Sequence, residues 1–195
     1  MSFLKDIGTP IFNAERLKSV PEKENYTFDV IYSGKKLTFN YLDLYKIFEK
    51  KYINCRLTSV SRWSVRANWG GVLWSDFINY LDFHDFKFVY FESYGGYNTT
   101  VFAEDLDNPR ILLATHVDDD EIEFDYGGPI RMVIPNLWGY KSCKWIKNIS
   151  FIDEYIVGFW EGYGYDDRGL IEPTIVLDIN SKQHRRINGG EVTEF

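Results

Sequence analysis

Two stretches of the chain hold residue types suited to gripping an anion. Thr58 to Val72 reads TSVSRWSVRANWGGV, and Gly127 to Lys144 reads GGPIRMVIPNLWGYKSCK. Both lie in acid-free regions. Residues 50–75 contain no Asp or Glu but carry Lys50, Lys51, Arg56, Arg62 and Arg66. Residues 127–150 again lack acid and carry Arg131, Lys141, Lys144 and Lys147. The chain as a whole has a net charge of −7. An acidic protein that segregates its positive charge in this way raises a local positive potential, which suits an anion site. The alternative is a pair of solvated basic faces.

Other chemistries find little support. His84, His116 and His184 are too far apart to give a zinc-ligand spacing. Neither Cys55 nor Cys143 has a CxxC partner, and both read as reduced, buried thiols. GxSxG, P-loop and GxGxxG patterns are absent from the sequence. The acidic run Asp118 to Asp125 fits no EF-hand spacing and reads as a solvated connection. Gly95-Gly96-Tyr97 and Gly127-Gly128-Pro129 are turns that would let backbone amides approach a phosphate.

The 195 residues suit a single domain, and an aromatic share of 18% argues for a packed core. The negative net charge speaks against a nucleic-acid partner, which would need a dominant basic face. No apolar run approaches the ~18 residues that span a bilayer, so no membrane partner is expected. The first residues show no signal-peptide pattern, and a cytoplasmic location is the expectation.

Taken in order, the motifs resemble the sulfite-oxidase-type molybdopterin family. Ser59-Val-Ser-Arg-Trp-Ser64 followed by Trp69-Gly-Gly resembles its Cys-Val-x-x-Trp-Ser and Trp-x-Gly segment. Phe88 to Ser93 is similar to the strand that follows. Gly127 to Pro135 and Gly139-Tyr-Lys-Ser-Cys-Lys144 resemble its Gly-Gly-Pro-x-Arg and Gly-aromatic-Lys-x-x-Lys blocks. Gly158-Phe-Trp-Glu resembles the tail of the small stand-alone members. The match runs from about residue 26 to about residue 170, and it implies an α+β fold with a mixed sheet. The implied cofactor is molybdopterin carrying molybdenum. The implied substrate is a small oxyanion or oxide, with electrons exchanged through a separate protein. By the same resemblance, Arg131 and Lys144 serve the cofactor's phosphate with the backbone of Ser142 and Cys143. Ser93 donates a hydroxyl, and Asn13 and Tyr126 stand at further contact positions.

Ser59 departs from the pattern, because the family places its metal-binding cysteine there. A thiolate is soft and present near neutral pH, whereas a serine hydroxyl is hard and stays protonated unless a Lewis acid displaces its proton. Three readings stay open: Ser59 ligates as an alkoxide, another residue substitutes, or the metal site is altered while pterin still binds. Cys55 is a poor substitute, since four residues of strand separate it from Ser59 by roughly 13 Å. Arg62, with Arg66, flanks Ser59 in sequence and is a candidate for orienting an oxyanion. Trp63, Trp69 and Trp138 either wall a pocket or fill the core.

These residues need elements to position them. Residues 1–25 read as an N-terminal arm laid over the domain. Tyr26–Ser33 and Lys36–Asn40 alternate as a hairpin about Gly34-Lys35. Asn40 is placed to cap a helix over Tyr41–Lys51. Ile53–Val60 reads as a strand, with Gly70-Gly71 breaking the motif that follows. Ser75 is placed to cap a helix through Leu81, and Phe86–Tyr94 reads as a central strand. Strands are also expected at Ile130–Ile134, Lys144–Phe151 and Glu172–Ile179, with an aromatic glycine-rich loop at Gly158–Tyr165.

Overall fold

A computed structural model describes residues 2–191. Its α-helices are few and short: α1 (Phe3–Asp6), α2 (Leu44–Ile47) and α3 (Trp74–Leu81). The strands run β1 (Thr27–Tyr32), β2 (Lys35–Asn40), β3 (Lys51–Thr58), β4 (Trp63–Leu73), β5 (Phe88–Ser93) and β6 (Asn98–Phe102). They continue as β7 (Leu112–Val117), β8 (Asp120–Glu121), β9 (Arg131–Val133), β10 (Ile146–Ile152), β11 (Thr174–Asp178) and β12 (Gln183–Ile187). No described helix is long and apolar enough to cross a membrane.

Two mixed sheets result. One has the order β2-β1-β10-β5-β6, with β1 and β10 parallel. The other has the order β12-β11-β4-β7-β8, with β3 added to β4 and β9 added to β7. The expected hairpin is β1–β2, pairing Thr27 with Asn40 through Tyr32 with Lys35. β5 is bonded on both sides, as its two apolar faces imply. A large aromatic core holds Phe28, Phe39, Trp74, Phe77 and Phe91, and a second core on the β3–β4 side holds Leu4, Cys55, Leu57, Val65 and Trp69.

Three local expectations are corrected. The helix over Tyr41–Lys51 is only a 3-10 turn at Tyr41–Asp43 and the four-residue α2. Asn40 does cap this turn, accepting from the Leu42 N–H at 2.9 Å. So short a helix has little stability of its own, and the chain turns extended at Phe48 to enter the eight-residue β3–β4 ladder. Ser75 does not cap α3, because β4 runs straight into the helix and the Trp74 N–H donates to the Ile111 carbonyl at 2.9 Å. Gly70-Gly71 does not end the strand. β4 continues through a bulge there, where a Cβ on Gly71 would drive into the Leu113 carbonyl.

β3 and β4 position the site because strand alternation gives their hairpin two faces. Leu57, Val65 and Trp69 lie on one face, over the second core. Arg56, Thr58 and Ser64 lie on the other, in a buried network with Asp178. There Thr58 Oγ1 is 2.9 Å from Ser64 Oγ, and Arg56 Nη1 is 3.0 Å from Asp178 Oδ1. The serine of the Trp-Ser motif is therefore an anchor of the hairpin's back.

Candidate functional site

The two acid-free stretches meet. One cavity is lined by Ser59, Trp63 and Trp69 from the first, and by Arg131, Gly139, Tyr140, Ser142 and Lys144 from the second. The N-terminal arm covers it with Thr9, Phe12, Asn13 and Glu15, and the aromatic loop adds Trp160 and Tyr165.

Ser59 sits where the β3–β4 hairpin closes. Its N–H donates to the Trp63 carbonyl at 2.8 Å, and its carbonyl accepts from the Arg62 N–H at 2.9 Å. Its hydroxyl oxygen accepts from the Ser61 N–H at 3.1 Å.

The cationic end is built by β9 and by the turn before β10. Arg131 is 3% exposed and bonds no carboxylate among the described residues. Its guanidinium donates to the carbonyls of Tyr126 at 2.7 Å, Met132 at 3.1 Å and Ser142 at 3.3 Å. It lies 5.8 Å from the Trp69 ring centre. Burial pushes its pKa down to about 10, so it stays charged at neutral pH. Lys144 likewise bonds only neutral oxygens: Asn13 Oδ1 at 2.6 Å, the Phe12 carbonyl at 3.1 Å and the Asp125 carbonyl at 3.3 Å. Burial, and then the Arg131 charge beside it, push its pKa down to about 7. Gly127, at φ +99°, leaves room for the Lys144 side chain, which a Cβ would strike.

Buried cations are costly unless paired with counter-charge, and neither forms a salt bridge among the described residues, although Asp125 and Glu15 act on Lys144 from a distance. The alternative of solvated basic faces does not hold for either, since Arg131 is buried and Lys144 is largely enclosed. Two further donors on the cavity lining are orphaned: the Trp69 indole N–H and the Thr9 hydroxyl have no partner among the described residues. Unpaired buried donors around one cavity are what an anionic ligand with several acceptor oxygens would satisfy.

Of the residues expected at the site, Ser59, Asn13, Tyr126, Arg131, Ser142 and Lys144 line the cavity. Tyr126 contributes its carbonyl to Arg131 and its hydroxyl to the Thr9 carbonyl at 3.0 Å. Ser142 gives its carbonyl to Arg131, but its N–H is committed to the Gly139 carbonyl at 3.1 Å. Cys143 is not brought to the cavity: its N–H donates to the Lys141 carbonyl, and its carbonyl accepts from Met132 at 2.8 Å. Ser93 stands behind the lining, with its hydroxyl donated to the Glu15 carboxylate at 2.6 Å.

Arg62 also lies outside the lining. It is a turn residue at φ +66°, its guanidinium 6.0 Å from the Trp138 ring centre, and Trp138 is not on the cavity either. Arg66 faces the other side of β4, where it pairs with Glu191.

Sequence reasoning missed Glu15, Tyr140, Trp160 and Tyr165 as lining residues. Glu15 accepts from the Tyr97 N–H at 2.8 Å as well as from Ser93. The Gly95 and Gly96 N–H groups both turn back on Ser93, and the carboxylate of Glu15 lies beside the turn on the Tyr97 N–H and the Ser93 hydroxyl. The acidic run forms no metal cluster among the described residues. Its Glu121 pairs with Lys23 and strand-pairs with His116.

The donor set can therefore be tested against a phosphorylated pterin. It fits at the anionic end, where Arg131, Lys144, Trp69 and Thr9 offer donors. At the metal end the cavity offers the Ser59 hydroxyl and no thiol. Cys55 and Cys143 are buried off the cavity, and burial pushes both thiols up, Cys55 to about 12.

Comparison with known proteins agrees with this geometry. Residues 17–160 match the family described as oxidoreductase molybdopterin binding domain. Uncharacterized oxidoreductase YuiH of Bacillus subtilis is 31% identical over 136 residues, covering 68% of this chain and 67% of that protein. The protein-methionine-sulfoxide reductase catalytic subunit MsrP of Pseudomonas syringae is 25% identical over 186 residues, covering 86% of this chain and 54% of that protein. The sulfane dehydrogenase SoxCD of Paracoccus pantotrophus shares the fold, with a TM-score of 0.65 at 15% identity over 88% of this chain and 47% of that one. The chain spans only part of the length of curated relatives it matches, from 24% to 67% of four of them. The chain belongs to the oxidoreductase molybdopterin-binding domain family, of the sulfite oxidase type.

Proposed function

We propose that the chain is a molybdopterin-dependent oxidoreductase in which Ser59 supplies the protein-side donor at the metal position. The observation that carries this reading is the pair of buried cations, Arg131 and Lys144, lining one cavity with Ser59 and bonded only to neutral oxygens. When bound, the cofactor supplies a molybdenum centre able to exchange an oxygen atom or an electron pair with a substrate. Arg131 and Lys144 hold the anionic end, and the Trp69 N–H and Thr9 hydroxyl lie ready to donate to it. Trp63, Tyr140, Trp160 and Tyr165 wall the cavity and limit its water. The substrate class is a small oxyanion or oxide, and the electron partner is a separate protein. One relative bears the name of a catalytic subunit, which supports a division of labour of that kind.

The test is metal and pterin analysis of protein expressed with an intact cofactor supply. The expected result is molybdenum and pterin in equal amounts, both lost in Arg131→Ala. Protein with neither, under conditions that load a family control, would sink the reading.

A second reading is favoured by one specific observation, the hydroxyl in place of a thiol at residue 59. On that reading the cavity binds pterin or another phosphorylated anion without redox chemistry. Ser59→Cys separates the two. If it restores metal that the native chain lacks while pterin content is unchanged, the second reading stands. If the native chain already loads metal fully, it fails.

A further inference from the structure

The stretch between α1 and β1 crosses the cavity without joining either sheet. Both of its ends are fixed: Leu4 of α1 is buried in the second core, and Val20 packs against the aromatic core. Between them, residues 10–21 make no main-chain to main-chain hydrogen bond among the described residues. The segment is a strap, held along its length by side-chain bonds and a ring contact. Lys144 Nζ donates to Asn13 Oδ1 at 2.6 Å and to the Phe12 carbonyl at 3.1 Å. The Ser93 hydroxyl and the Tyr97 N–H donate to the Glu15 carboxylate at 2.6 and 2.8 Å. The Phe12 ring lies 5.9 Å from the Trp160 ring, centre to centre. Lys144, Tyr97 and Trp160 all line the cavity, so the fastenings of the strap belong to the cavity itself.

Lys144 couples the strap to whatever the cavity holds. An ammonium group has three donors and no acceptor. All three are committed, two to the strap and one to the Asp125 carbonyl at 3.3 Å. An anion that draws on Lys144 must displace these acceptors. Releasing the Asp125 carbonyl, the longest of the three bonds, frees a single donor. An anion with several oxygens that takes a second donor must displace Asn13 or Phe12. It also neutralises the charge that holds their oxygens. Glu15 lines the same cavity, so an anion there repels the strap's own carboxylate as well.

We propose that residues 10–18 are a strap that competes with an anion in the cavity for Lys144 and loosens as the anion binds. The coupling is reciprocal: whatever loosens the strap tightens anion binding, and whatever tightens it weakens binding. The strap therefore sets the affinity of the cavity together with the cations on its lining. This rests on the cavity being an anion site, as the proposed function does, but it requires no metal and no redox step.

The test uses the full chain, inorganic phosphate and trypsin. Arg16 and Lys18 stand exposed on the strap and give trypsin its sites. Cleavage that waits on local opening reports the population of the open strap, and saturating phosphate should speed it at these sites by about threefold or more. A free peptide of residues 10–22, cut under the same conditions, corrects for any effect of phosphate on the protease. Asn13→Ala removes one fastening; it should be cut faster and should bind phosphate several-fold more tightly by calorimetry. Asn13→Asp offers Lys144 a carboxylate and should be cut more slowly even without phosphate. Circular dichroism checks that both variants fold. Cleavage that stays the same or slows with phosphate bound would overturn the proposal, as would phosphate binding by Asn13→Ala no tighter than by the native chain. In either case the proposed function survives, since the native chain still binds the anion. If neither the native chain nor Asn13→Ala binds phosphate, the strap and the anion site fall together.

Discussion

Lys144 makes the cavity's affinity for an anion depend on pH. Its pKa in the free protein is pushed down to about 7, from an ordinary 10.5. A bound anion favours the charged form and raises that value. Binding therefore takes up a proton at pH values between about 7 and the bound-state pKa. Affinity should be greatest below pH 7 and fall as pH rises through that window. Phosphate titrations by calorimetry, in buffers of different ionisation enthalpy, would show the uptake directly. Lys144→Met should bind more weakly and lose this pH dependence. For stability the sign is the reverse of a carboxylate salt bridge. The folded state binds fewer protons than the unfolded one between about pH 7 and 10.5, so the penalty of charging Lys144 is full below pH 7 and relieved as pH rises. At this scale Ser59, Arg131 and Lys144, singled out through the family resemblance, were found on the cavity lining. Arg62 and Cys143 were not. A left-handed turn sends the first toward Trp138, and the strand contact with Met132 consumes the backbone of the second. Glu15 was illegible because an arm without periodicity gives no register.

At the scale of elements, the aromatic loop is held by a buried charge pair. Lys141 and Glu161 have fully buried side chains and form an ion pair. Lys141 Nζ also donates to the Thr100 carbonyl at 2.8 Å and the Asp167 carbonyl at 2.6 Å, and the Thr99 hydroxyl donates to Glu161 at 2.8 Å. The pair ties the turn at Gly139–Lys141 to the loop bearing Trp160 and Tyr165. Lys141→Met strands a buried carboxylate and should cost about 3–5 kcal/mol in chemical denaturation. Adding Glu161→Gln should recover part of that loss, as a double-mutant cycle would read. Gly71→Ala should also destabilise, by roughly 3 kcal/mol or more, because its Cβ meets backbone that cannot swing aside. The hairpin of β1 and β2 was legible because its alternation is regular. β12 was not: Gln183 to Arg186 are all exposed, and pairing with β11 forms the strand where no apolar pattern marks it. The expected helix after Asn40 failed for a related reason. Its apolar stripe was real, with Tyr41, Leu44 and Phe48 buried, but the chain turns extended at Phe48 to reach the β3 ladder that begins at Lys51, which cuts the helix short.

For the whole molecule, the segregation of charge was the most informative signal, and it had two destinations. Arg131 and Lys144 went to the cavity, while Arg56 and Arg66 went to the back of the β3–β4 hairpin. Composition could not divide them, since the division depends on which way each strand residue points. Trp69→Phe tests how far the cavity is organised for a ligand. Removing an orphaned indole N–H deletes an uncompensated buried donor, so ligand-free stability should change little, while phosphate or pterin affinity falls by several-fold, seen as a smaller ligand-induced rise in Tm.

The backbone around residue 59 is fastened by two main-chain bonds, from its own N–H to Trp63 and from Arg62 to its own carbonyl, and the Ser59 hydroxyl adds one more by accepting from the Ser61 N–H. The side chain at that point is thus a nearly detachable fitting: mounting sulfur for oxygen there puts only the Ser61 bond at stake and leaves the two main-chain bonds in place. A single codon change therefore trades one donor atom for the other while both strands of the hairpin keep their hold on the turn.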